Sequence, residues 1–292
     1  MTSAVGDGAA TGLPQVGWIG LGAMGAPMAR RLLDHGYPLS VWARRRESAA
    51  ALFDAGARWV DSPAALAARS DCVCTMLTGP GDVVALLGAM LPEARAGTVF
   101  VELTTASPAI ARPLQAQAAA RGVDVVDAPV TGGVAGAGDG RLTIFAGAGE
   151  AALLRCRLLF SVLSRRVVHC GGPGAGYRMK LVNQTMMAGV LLGLANGVVL
   201  ARTAGCDAAL LVDALGGGSA ASALFDSYAG RMLAQQGPET FSLGLLHKDL
   251  VLARDEALQS GAPTRFVDFA LAEVAAACAR FGPHRGVQVL AA

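Results

Sequence analysis

GWIGLGAMGAPMA, Gly17–Ala29, holds Gly20, Gly22 and Gly25 in the spacing G-x-G-x-x-G, directly after the apolar run QVGWIG and at the head of the helix-patterned APMARRLLDHGY. In such a setting the first glycine permits a tight turn and the second lets backbone approach a pyrophosphate. The third allows helix and strand to pack closely, while the helix N-terminus attracts negative charge. In a chain with 38 glycines the triplet alone says little. Its place between a strand pattern and a helix pattern, followed by a second apolar run LSVWA, gives it force as a dinucleotide site. Leu21, Ala23 and Met24, inside the turn, are expected to share in that contact.

The end of the second run refines the expectation. A site that prefers NAD usually places Asp or Glu there to hold the ribose 2′-OH. This chain reads VWARRRE: Ala43 removes the carboxylate, and Arg44, Arg45 and Arg46 offer planar forks suited to a 2′-phosphate. NADP(H) is therefore expected in preference to NAD(H), with Arg44 and Arg45 as the grip. The plainer alternative is a solvated arginine run, and Glu47 reads as helix-end charge.

Outward from this unit, strand and helix patterns alternate through DCVCTML, GTVFVELT, GVDVVDAPV, RLTIFAG and RRVVHCG, with ESAAALFDAG, SPAALAARS, PAIARPLQAQAAARG and EAALLRCRLLFSVL between them. Such alternation implies a mainly parallel sheet covered on both faces. After GGPGAG the strand signal stops and every later segment has helical period. The expected architecture is an α/β Rossmann-type doubly wound sheet, joined by a long helix to an all-helical C-terminal domain. Its divisions are a flexible extension over residues 1–14, a cofactor domain over 15–173, and a helical substrate and oligomerisation domain over 174–292 whose joining helix covers 174–203.

Composition excludes several classes. The 24 basic and 22 acidic residues are dispersed, which argues against a nucleic-acid partner. Six cysteines form no C-x-x-C and no zinc spacing, so no metal is expected and the thiols read as reduced and mostly buried. Leu181 to Ala201 is long enough to span a bilayer, yet it carries Asn183, Gln184, Thr185 and Asn196 and lacks an aromatic belt. No membrane partner is expected. MTSAVGDGAATGLPQ has neither a basic nor an apolar leader region, which suggests a cytoplasmic protein. Low charge, 16%, with Ala/Gly-rich helices points to a homodimer or homotetramer.

Two segments suggest chemistry. In DAPVTGG, Thr131 with the backbone N–H groups of Gly132 and Gly133 can form a cradle for a carboxylate, or can be a simple loop. Lys180 stands alone at the head of a long uncharged run. An ammonium partly desolvated against apolar walls loses basicity and becomes a usable acid and base. The same lysine could also be one that merely snorkels from a helix end.

Four segments together resemble the β-hydroxyacid dehydrogenases: GWIGLGAMGAPMA, DAPVTGG (Asp127–Gly133), GPGAGYRMKLVNQ (Gly172–Gln184) and HKDLVLARD (His247–Asp255). They stand in the family's order and spacing, from about Val16 to Phe281. The resemblance implies interconversion of 3-hydroxy acids and semialdehydes with NAD(P). It implies Lys180 as general acid and base, and Thr131, Gly132 and Gly133 on the substrate carboxylate. Asn183 and Gln184, sharing the face of Lys180, are further substrate candidates, with Phe241 as an aromatic wall. Leu77, Thr78 and Thr105 fall where the family meets the nicotinamide ribose, and Lys248 and Asp249 where a helical segment covers the cofactor.

Departures from the family pattern are Thr131 in place of Ser, Gln184 in place of the commoner Asn, and the tail FGPHRGVQVLAA. The form K-x-x-N-Q is similar to tartronate semialdehyde reductases. The expected substrate is thus a small carboxylate-bearing aldehyde or hydroxy acid: tartronate, succinic or methylmalonate semialdehyde, or glyoxylate. The rivals are an NAD-dependent 3-hydroxyisobutyrate-type dehydrogenase, an imine reductase on the same fold, and a non-catalytic NADP-binding module.

Overall fold

A computed structural model describes residues 12–292, so the expected extension over residues 1–14 lies outside the described residues up to position 11. The chain divides into two compact units, one comprising residues up to 104 with 108–177, the other residues 105–107 with 178–292.

Unit 1 runs β1 (Val16–Ile19), α1 (Gly25–Asp34), β2 (Leu39–Trp42), α2 (Ala50–Phe53), β3 (Arg58–Trp59), α3 (Pro63–Ala68), β4 (Cys72–Thr75) and α4 (Pro80–Met90). It continues through β5 (Val99–Glu102), α5 (Pro108–Ala119), β6 (Asp124–Asp127), β7 (Val130–Thr131), α6 (Gly133–Asp139), β8 (Leu142–Gly147), α7 (Glu150–Leu163) and β9 (Ser164–Gly171). The sheet order is β3-β2-β1-β4-β5-β6-β8-β7, with β9 beside β8. Strands β1 to β6 pair in parallel, β8 runs antiparallel to β6 and β7, and β9 is parallel to β8. The order 3-2-1-4-5-6 reverses direction between β1 and β4, and ligands in such sheets bind beyond the strand carboxyl ends at that point.

Strand alternation explains why both faces are covered. Val16 and Trp18, Cys72 and Cys74, and Val99 and Val101 enter one apolar cluster with Met28 and Leu32 of α1 and Leu159 of α7. Ile19, Val73 and Phe100 point the other way, to Leu66 of α3, Leu87 of α4 and Leu114 of α5. Leu13, at the start of the described chain, packs against the first cluster. Three of the six thiols, Cys72, Cys74 and Cys156, are buried; Cys170 and Cys278 are half-buried and Cys206 is exposed, short of the mostly buried set expected.

Unit 2 is helical: α8 (Ala175–Thr203), whose first turn lies in unit 1, then α9 (Ala208–Gly216), α10 (Ala223–Ala234), α11 (Leu243–Ser260) and α12 (Arg265–Phe281). Ser222 and Ser242 start α10 and α11 by accepting hydrogen bonds from Phe225 N (3.0 Å) and Leu245 N (3.3 Å). Helix α8 is long and apolar enough to cross a membrane by length and composition. Its buried Leu181, Ala188, Leu191, Leu192, Ala195 and Val198 recur at helical spacing and pack with Leu246 and Leu250 of α11 and Val274 of α12. The tail that departs from the family pattern forms a 3₁₀ turn, Val287–Ala291, and puts Val287, Val289 and Ala291 into that core.

Candidate active site

The expected site residues fall in both units. In unit 1 the β1–α1 turn is shaped by its glycines. Gly20 has φ +98°, and a Cβ there would stand 2.0 Å from Met76 O; a Cβ on Gly25 would stand 1.9 Å from Gly20 O. Gly22 has open space around it, and Gly22 and Ala23 are exposed. The first turn of α1 carries no acidic side chain. This open, backbone-lined turn at the sheet's reversal point fits a dinucleotide pyrophosphate. Leu21 and Met24 pack against the sheet core from within it.

Trp42 ends β2 opposite Ile19, so Arg44 and Arg45 follow at the same end of the sheet as the glycine turn. Arg46 is engaged, its guanidinium 5.4 Å from the Trp59 ring and 5.7 Å from that of Phe53. Arg44 and Arg45 are exposed and, among the described residues, have no ion-pair partner, which leaves two forks free for a phosphate. Leu77 follows β4, its N–H donating to Thr104 Oγ1 at 2.8 Å, and Thr78 beside it is exposed. Thr131 ends β7 half-buried, and Gly132 and Gly133 follow with φ +132° and +66°, their backbone exposed. A side chain is strained at both positions, so the turn presenting these amides requires glycine.

Sequence reasoning missed a buried polar network in unit 1. Glu102, at the end of β5, is fully buried and accepts from Tyr177 OH (2.6 Å), Thr104 N (3.1 Å), Thr75 Oγ1 (3.3 Å) and Thr104 Oγ1. Asp127, at the end of β6, accepts from Gly174 N (2.8 Å) and Tyr177 N (3.0 Å), capping the start of α8. Burial pushes the Glu102 carboxyl up, against its hydroxyl donors, and pushes Asp127 up to about 7, against its backbone donors. The available signal was an acid closing each of the apolar runs VFVE and VVD, since a buried carboxyl requires partners.

Asp127 gives a stability prediction with a definite sign. Its folded pKa, about 7, lies above the model-peptide value of 3.8, so between these the folded state holds the extra proton. Stability therefore falls as pH rises through that window, by up to roughly 1.4 kcal/mol per unit. All three tryptophans, Trp18, Trp42 and Trp59, lie in unit 1. Urea midpoints read by their fluorescence should fall from pH 5 to pH 7, with a shallower slope in Asp127→Asn.

In unit 2, Lys180 is 7% exposed on α8, and among the described residues no carboxylate lies within ion-pair distance of it. Burial lowers its amine to about 8; the Asp249 carboxylate opposes that shift and the Lys248 ammonium adds to it. One turn on, buried Gln184 accepts from Asn183 Nδ2 at 2.8 Å and donates to Asp249 Oδ2 at 2.6 Å. Lys248 Nζ donates to Thr105 O at 2.9 Å. It also lies 2.8 Å from Asp249 Oδ1, a close charge contact without the alignment of a hydrogen bond. Lys180, Asn183, Gln184, Thr105, Lys248 and Asp249 thus belong to one part of unit 2. Phe241 is half-buried against the helical core, its carbonyl accepting from Val287 N at 3.0 Å.

Residues 15–172 match the family described as the NAD binding domain of 6-phosphogluconate dehydrogenase, and residues 174–292 that described as the NAD-binding of NADP-dependent 3-hydroxyisobutyrate dehydrogenase. The chain is 36% identical to probable 3-hydroxyisobutyrate dehydrogenase-like 1 of Arabidopsis thaliana, over 85% of this chain and 75% of that protein. It is 34% identical to the NAD-dependent L-serine dehydrogenase of Pseudomonas aeruginosa, over 89% and 90%. Among solved structures it is similar to the 3-hydroxyisobutyrate dehydrogenase of Mycobacterium tuberculosis with L-serine, with TM-score 0.86, 28% identity, and coverage of 96% and 98%. Fold order, glycine turn and both matched halves agree: the chain belongs to the β-hydroxyacid dehydrogenase family and is an NAD(P)-dependent oxidoreductase acting on CH–OH groups.

Proposed function

We propose that this enzyme prefers NADP(H) and reduces a small semialdehyde or glyoxylate to the hydroxy acid, with Lys180 as the proton donor. The observation that carries this reading is a buried lysine with no carboxylate within ion-pair distance among the described residues, its amine brought down to about 8. The bound nicotinamide supplies or takes up the hydride. Thr131 with the N–H groups of Gly132 and Gly133 holds the substrate carboxylate through charge-assisted hydrogen bonds. As the carbonyl carbon gains hydride, its oxygen takes a proton from the Lys180 ammonium, and the free amine is recharged from solvent. In the reverse direction the free amine removes the hydroxyl proton.

The sign of the pH dependence follows. Reduction needs the ammonium and should fall as pH rises through about 8, whereas oxidation needs the free amine and should rise through the same value. An NADPH-consumption screen over tartronate, succinic and methylmalonate semialdehydes and glyoxylate, repeated with NADH, tests substrate class and cofactor together. Silence toward all four removes the reading. The second reading is NAD-linked oxidation of a 3-hydroxy acid, and the similarity to an enzyme named as an NAD-dependent L-serine dehydrogenase supports it.

The arginines separate the two. Each charge-assisted contact to a 2′-phosphate is worth about 1.5–3 kcal/mol, so Arg44→Ala with Arg45→Ala should raise the NADPH KM by roughly 10²-fold or more. The NADH KM should stay within about twofold, because NADH offers no 2′-phosphate. Parallel loss of both cofactors would place the phosphate grip elsewhere.

A further inference from the structure

The structure assigns Gln184 a positioning role: it holds the Asp249 carboxylate away from Lys180, so that the lysine keeps no ion-pair partner. The inference deepens the proposed function and rests on Lys180 being the proton donor. Gln184 follows Lys180 by four residues on α8, which puts the two on one face with Cβ atoms about 5–6 Å apart. Its Nε2 holds Asp249 Oδ2 at 2.6 Å, and Lys248 Nζ stands 2.8 Å from Oδ1, so each oxygen of the carboxylate faces a group other than Lys180. The rest of Gln184 is used as well, its Oε1 accepting from Asn183 Nδ2 at 2.8 Å. Each end of this side chain, only 2% exposed, thus makes a hydrogen bond within the protein.

On α8, Tyr177 donates to Glu102 and Arg178 pairs with Glu256. Asp249 and Lys248, both on α11, are the two charges that act on Lys180, with opposite signs. Asp249 is therefore the carboxylate placed to quench the free amine. A carboxylate within about 4–6 Å of an ammonium typically raises its pKa by 1–3 units. Loss of the Gln184 hydrogen bond frees Oδ2 to turn toward Lys180, and the lysine becomes a poorer acid and a scarcer base at neutral pH.

The test is competitive acylation of Lys180 by acetic anhydride across pH 6–11, read by peptide mass spectrometry on the full chain without substrate. It reports the lysine's titration whether or not any semialdehyde is turned over. Gln184→Met keeps the length and removes both polar ends. Its Lys180 midpoint should rise by one unit or more, about a tenfold loss of free amine at pH 7. Gln184→Asn, too short to reach Asp249, should move it the same way and serves if the methionine variant fails to fold. Asp249→Asn should lower the midpoint, and in combination with Gln184→Met it should abolish the rise. The pH limb of the rate should move with the midpoint, whereas a purely structural defect would lower the rate at every pH and leave the limb in place. An unmoved midpoint in the Gln184 variants, or a rise that persists without the Asp249 carboxylate, overturns the inference. Inactivity of the wild type in the substrate screen would overturn the proposed function and leave the labelling result standing.

Discussion

Lys180→Met should lower turnover by roughly 10²- to 10⁴-fold, the span of a general acid, while NADPH binding, followed by fluorescence titration, stays within about twofold. The pH limb near 8 should disappear with the amine that causes it. Stability should move the other way. The folded amine, at about 8, lies below the model value of 10.5, so at pH 7 the folded state carries a charge that burial disfavours. That cost is on the order of 3 kcal/mol, present below about pH 8 and relieved as pH rises toward 10.5. A methionine of similar length carries no charge to desolvate, and the variant should unfold at equal or higher urea concentration than the wild type at pH 7. A slower yet no less stable protein separates lost chemistry from lost fold. A Lys180→Met enzyme within tenfold of the wild-type rate would end the proposed role.

The alternation of strands and helices was legible because each β-run is short, apolar and bounded by glycine or a polar turn, and because strand residues such as Val16, Trp18 and Ile19 must divide between two covered faces. The helical half was legible from period alone. The terminal turn Val287–Ala291 was not, since five residues are too few to show a period and their burial depends on α10 and α12 packed against them. The glycine turn, the arginines and Lys180 stood out because each breaks the pattern around it. Partners distant in sequence were hidden. Gln184 and Asp249 are 65 residues apart and Glu102 and Tyr177 are 75 apart, so their hydrogen bonds follow only from the folded chain. The face shared by Lys180 and Gln184 could be read from helical spacing, but the group that Gln184 holds could not.

Alanine at each of the three glycines should divide folding from cofactor binding. At Gly20 the new Cβ meets Met76 O at 2.0 Å on a backbone with φ +98°, and at Gly25 it meets Gly20 O at 1.9 Å, with Trp18 Nε1 3.3 Å away. Trp18 Nε1 itself donates to Gly20 O at 3.1 Å, so this carbonyl cannot retreat without losing a part-buried hydrogen bond. Backbone rather than a flexible side chain must yield at both sites. Overpacking and left-handed strain each cost about 1–3 kcal/mol, and Gly20→Ala carries both. These two variants should therefore lose several kcal/mol in tryptophan-monitored urea unfolding and bind little NADPH. Gly22 differs, because nothing lies within 4 Å of its added Cβ. Gly22→Ala should unfold within about 0.5 kcal/mol of the wild type, the usual range for a surface change, yet bind NADPH at least tenfold more weakly, because the methyl group occupies the pyrophosphate's approach. Wild-type NADPH affinity in Gly22→Ala would show that the phosphates do not cross this turn. An unshifted urea midpoint in Gly20→Ala would show that the turn tolerates a side chain where its geometry forbids one. The combination of intact folding and weakened binding at Gly22, set against lost folding at its two neighbours, is what a turn shaped for an anion requires and an ordinary tight turn does not.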